Sequence, residues 1–71
     1  MTEEMLEHVF SYHKPTPEHI PKYEAIREAA KVFARVVSEN TPAGADQSAA
    51  MRKIREAVMT ANASIALGGR C

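Results

Sequence analysis

The 71-residue sequence contains one cysteine, no tryptophan, three glycines and four prolines, and it has no excess of charge, nine Lys and Arg standing against nine Asp and Glu. Each shortage excludes something. A single thiol, Cys71, forms no internal disulfide and supplies no paired-cysteine metal or redox motif. A neutral chain is a poor coat for polymeric nucleic acid, because such binding needs a basic excess that releases counterions from many phosphates. A small anionic ligand is still compatible with it. No apolar run approaches the roughly 18 residues of a membrane helix, and the first ten residues carry Glu3, Glu4 and Glu7 where a secretory signal would be basic. The expectation is a cytoplasmic protein that meets no membrane. Size sets a further limit: a chain this short buries only about 60% of the surface its unfolded form exposes. Its stability balance falls near zero at roughly 70 residues. With disulfides excluded, self-association is the remaining common stabiliser.

What is present reads as a single all-α domain over residues 1–71, with no strand signal, repeat or low-complexity tract. Residues 1–10 hold three acids and no Lys or Arg, residues 11–40 five basic and four acidic groups, and residues 41–71 four basic and two acidic. The acidic segment predicts a short helix over 2–11, with Thr2 as N-cap, Glu3 and Glu4 in the first turn, and Met5, Leu6, Val9 and Phe10 at helical spacing. Pro15, Pro17 and Pro21 make 13–20 a stiff connector. A long amphipathic helix follows over 21–40, its stripe running through Tyr23, Ile26, Ala30, Phe33 and Val37. Thr41-Pro42-Ala43-Gly44 ends it. A second long helix is expected over 46–67, capped by Asp46 or Ser48 and stopped by Gly68-Gly69, with Met51, Ile54, Val58, Ala61 and Ile65 at heptad a and d places. Two such helices joined by so short a turn lie antiparallel. A lone hairpin leaves part of each stripe uncovered, and the many alanines permit close approach, so copies should pack on copies as a helical bundle.

Catalytic chemistry is hard to write from these residues. His8, His13 and His19 fall on different predicted elements, without a recognised metal-ligand spacing, and read as surface or capping histidines. No serine sits in a nucleophile elbow, and no acid–base pair is legible. The chain is expected not to be an enzyme. Binding chemistry is better represented. Arg27, Lys31 and Arg35 recur every four residues below Tyr23 and could hold phosphates, although Glu24 and Glu28 interleave with them and spacing alone favours a solvated ion-pair face. Arg52, Lys53 and Arg55 form a second basic cluster, which allows a helix-turn-helix reading that the neutral charge weakens. Tyr12 and His13, just before Pro15, suit stacking on a nucleobase; packing of Tyr12 against Phe10 is the simpler alternative. Asn62 could fix register, face solvent or bond a ligand.

The order of the pieces resembles a known family. Phe10-Ser-Tyr12-His13-Lys-Pro15, then Tyr23-Glu-Ala-Ile26-Arg27, then Ile54-Arg-Glu56-Ala-Val58-Met59-Thr-Ala61-Asn62-Ala63-Ser-Ile65-Ala66 is similar to the phage anti-CBASS proteins of the second type, over roughly residues 8–69. Thr60 stands where many relatives carry an aromatic residue. The resemblance implies a compact homohexamer that sequesters cyclic oligonucleotide second messengers of bacterial defence in the cytoplasm of the infected host, without cleaving them and without a cofactor. It further implies cyclic dinucleotides such as 3′,3′-cyclic GMP-AMP held between protomers, with cyclic trinucleotides at a second site in some members. By position, Tyr12 matches the base-stacking tyrosine and Arg27 a phosphate-binding residue. His13 and Arg70 correspond to the trinucleotide site, and Lys14, Lys22 and Lys31 would add positive potential. A helical protein-interaction module and a dimeric DNA-binding regulator are the alternative functions.

Overall fold

A computed structural model describes residues 1–70; Cys71, the sole thiol, lies outside the described residues. The chain forms three helices, α1 (Glu3–Val9), α2 (Ile20–Asn40) and α3 (Ala45–Ala66), with no strand among the described residues.

Local chemistry explains each boundary. Thr2 is extended and its Oγ1 accepts from the Met5 N–H at 3.2 Å, with Glu3 and Glu4 in the first turn. Such a cap satisfies one of the donors that a helix start leaves orphaned. α1 stops two residues short of the expected end, where the Ser11 hydroxyl turns back onto the Glu7 carbonyl and so offers the chain an alternative to another helical turn. α2 begins at Ile20, one residue early, with Pro21 in its first turn, where a missing N–H leaves no bond unmade. Its last carbonyls are taken by Asn40, whose Nδ2 donates to Val36 at 2.8 Å, and by the Thr41 hydroxyl, which donates to Val37 at 2.7 Å.

The start of α3 corrects the expected cap. Neither Asp46 nor Ser48 caps it; Gly44 does, without a side-chain bond, and Asp46 lies one position inside, its carboxylate at the positive end of the helix. Gln47 fastens the turn instead, its Nε2 donating to the Thr41 carbonyl at 3.2 Å and hydroxyl at 3.1 Å. At the far end, Gly68 and Gly69 take left-handed φ values of 63° and 76°. The Gly69 N–H reaches the Ser64 carbonyl at 2.9 Å and the Gly68 N–H that of Ile65 at 3.2 Å, which is a Schellman closure. Nothing lies within 4 Å of a Cβ built on Gly68. Gly68→Ala should therefore lower stability by backbone strain alone, by about 1 kcal/mol, read from the denaturant midpoint at fixed protein concentration.

α2 and α3 pack on each other as the antiparallel hairpin. The result has almost no interior. Leu67, 8% exposed, is the one buried residue among those described. Ile26, Ala30, Val37, Ile54, Val58 and Ala61 are half-buried, and Phe33, expected on the inner stripe, is 58% exposed. The molecule measures 46 × 28 × 15 Å, a single layer of helices. Its radius of gyration is 15.3 Å, against roughly 11 Å for a compact chain of this length. The accessible surface, 5543 Å², exceeds by roughly 1,100 Å² what a compact monomer of this mass exposes. No helix of the described residues is long and apolar enough to cross a membrane.

Candidate functional site

The arm between α1 and α2 carries the most distinctive side chains. Tyr12 is 85% exposed and Phe10 78%, so the packing of one on the other that the sequence suggests is not found. The reason is that the chain leaves helical geometry at Phe10 and the two rings stand out separately. Beside Tyr12, the half-buried His13 turns its Nε2 to the carbonyl of His8. His8 in turn bonds through Nε2 to the Leu67 carbonyl at 2.9 Å, across 59 residues of sequence. The two imidazoles meet edge to face, centroids 5.0 Å apart and planes at 76°.

The three histidines are thus less separate than the sequence suggests: two of them link the arm, α1 and the end of α3. His19, just before α2, sets its ring edge against Tyr23 at 6.1 Å and makes no capping bond. Among the described residues no group of His, Cys, Asp or Glu is arranged to hold a metal ion.

A second tie joins the chain ends. Arg70 pairs with Glu4 at 2.9 Å and contacts the Met5 sulfur at 3.6 Å. Lys31, on the basic face of α2, pairs with Glu28 at 3.4 Å, an exposed i,i+3 pair of small energetic weight. Among the described residues Lys14, Lys22 and Arg27 form no ion pair; all three are exposed. Two of the seven anticipated ligand-binding groups, Lys31 and Arg70, thus each meet an exposed carboxylate of their own chain in a weak pair that a ligand could displace, while Arg27, Lys14 and Lys22 meet none among the described residues.

Neither of two concavities among the described residues gathers these side chains. The principal concavity, about 640 Å³, is an open trough along the hairpin lined by Ile26, Phe33, Val37, Ile54, Val58 and several alanines, and it includes none of the seven. The smaller one, about 410 Å³, surrounds the Thr41–Gln47 turn. Asn62 is a further departure. Its Oδ1 is shut away from water with no donor among the described residues, which speaks against a solvent-facing oxygen and leaves the register and ligand readings compatible.

Sequence reasoning read His8 as a surface or capping histidine and did not anticipate its link to Leu67. The signal was available: Met5, His8 and Val9 follow helical spacing and are the half-buried residues of α1. A histidine on an apolar stripe implies a polar partner on whatever that stripe meets.

A family model described as the Acb2/Tad1 hairpin domain matches residues 2–66. No curated protein and no solved structure matches the chain.

Proposed function

The chain belongs to the Acb2/Tad1 hairpin-domain family, and from that premise we propose that it is a phage anti-CBASS protein that binds cyclic oligonucleotide second messengers and withholds them from their effectors. It acts by stoichiometric depletion in the cytoplasm of the infected host, uses no cofactor and cleaves nothing. Copies of the chain assemble, with six as the expected number, and the ligand lies between protomers. Tyr12 stacks on a base and Arg27 meets the phosphates, with Lys14, Lys22 and Lys31 adding positive potential. His13 and Arg70 are the residues assigned to a cyclic trinucleotide.

The observation that carries this reading is Tyr12 itself. An aromatic ring 85% exposed, on a proline-stiffened arm, has most of its surface free to stack on something else. Enclosure supplies the rest, since charge-assisted contacts strengthen when a ligand is drawn out of water between chains. The neutral total charge fits a small bounded anion better than a polymer.

Calorimetric titration of the full chain with 3′,3′-cyclic GMP-AMP tests the proposal, followed by proteolysis of the complex and chromatography of the released nucleotide. Saturable heat with intact ligand recovered is expected. Recovery of linear products would make the protein a hydrolase. Neither heat nor a thermal shift across a panel of cyclic di- and trinucleotides would sink the proposal in favour of a protein-interaction module, for which the open apolar trough is the supporting feature.

A further inference from the structure

Between Leu67 and Tyr12 runs a chain of contacts that the binding residues do not account for. Leu67 is well anchored: it is the buried residue among those described, and its carbonyl accepts both the Arg70 N–H at 3.2 Å and the His8 Nε2 at 2.9 Å. A carbonyl oxygen only accepts, so the Nε2 of His8 must carry the hydrogen. The same reasoning applies one step outward, where the Nε2 of His13 donates to the His8 carbonyl, a group in the last turn of α1. Both bonds satisfy carbonyls at helix ends, which lack partners within their own helix. The rings are also held against each other at 5.0 Å, edge to face. His8 thus grips the end of α3 with its side chain, and holds the arm with its carbonyl and its ring. The Glu4–Arg70 pair ties α1 to the same end but does not reach the arm, and its side chains are 79% and 48% exposed respectively, which makes it a weak clamp.

We propose that His8 is a positioning residue: through Leu67 on one side and His13 on the other, it fixes the arm so that Tyr12 is presented to a ligand already oriented. The proposal rests on the reading that Tyr12 stacks on a nucleotide base. Its physical content is pre-organisation, in which the ordering of the arm is complete before the ligand arrives and does not subtract from affinity.

The test uses the full chain in a Tyr23→Phe background. The sequence has two tyrosines and no tryptophan, so Tyr12 becomes the sole strong fluorophore, and its anisotropy reports the arm without any ligand. His8→Ala should lower that anisotropy and weaken binding of 3′,3′-cyclic GMP-AMP about tenfold, as expected for one newly mobile segment, with assembly mass and helical ellipticity unchanged. His8→Gln, whose side-chain amide can donate to the Leu67 carbonyl, should recover both. His13→Ala, which cuts the link from the arm side and leaves α1 docked, should lower anisotropy in the same way and guards against a His8→Ala chain that does not fold. Unchanged anisotropy in the alanine variants, or a loss that glutamine fails to recover, would overturn the proposal. A parent chain that binds no cyclic nucleotide would defeat the functional reading, while the anisotropy would still decide the tether.

Discussion

Ile54→Asp is expected to abolish both assembly and folding at room temperature. Ile54 lines the trough of the hairpin with Ile26, Phe33 and Val58. A chain with one buried residue among those described has little stability of its own, and in the proposed assembly the copy that covers the trough supplies most of what holds the helices together. A carboxylate there must either be desolvated, which costs several kcal/mol, or keep the partner surface away. Either outcome exceeds the margin available to a 71-residue chain. Helical ellipticity and sedimentation, both measured across a concentration series, check this. A variant that stays helical as a monomer, with the melting temperature of the parent, would mean that the hairpin is self-sufficient and that the trough is an open groove.

Tyr12→Ala should weaken binding of a cyclic dinucleotide by about 5- to 160-fold, the range that corresponds to about 1–3 kcal/mol for a base stacked on an aromatic ring. Helical ellipticity should not change, because a ring 85% exposed takes little part in holding its own chain together, and a ring that serves the ligand alone should leave assembly mass unchanged as well. Tyr12→Phe should keep most of the affinity, since stacking needs the ring face and not the hydroxyl. Calorimetric titration and sedimentation of the same samples separate the outcomes: if mass falls together with affinity, the ring belongs to the contact between copies and not to the ligand.

The helices were legible in the sequence for identifiable reasons. Thr2, the prolines at 15, 17, 21 and 42, and the Gly68-Gly69 pair are local signals whose geometry depends on neighbours within a few residues, and each acts where it stands. The start of α3 was misjudged because Asp46 and Gly44 compete for the same turn, and Gln47, an unremarked residue, settles it by bonding back to Thr41. What periodicity could not reveal was depth. Phe33 follows the stripe and still lies 58% exposed, because a stripe specifies a face and not what covers it. The links of His8 to Leu67 and of Arg70 to Glu4 span 59 and 66 residues, and no local pattern encodes such pairings. Tyr12 and Arg27 were singled out by residue type and by resemblance. Neither of them lines the trough of the single chain, and no periodicity or spacing says what else would complete a site around them.

The thickness of 15 Å has a consequence for how such a chain keeps its shape. Every backbone amide of α2 and α3 is one side chain away from either broad face, so depth within the molecule protects none of them from exchange with solvent hydrogen. On the proposed assembly, protection is borrowed from the copies lying against those faces and varies with protein concentration, so that dilution should act on this fold as a denaturant acts on a larger one.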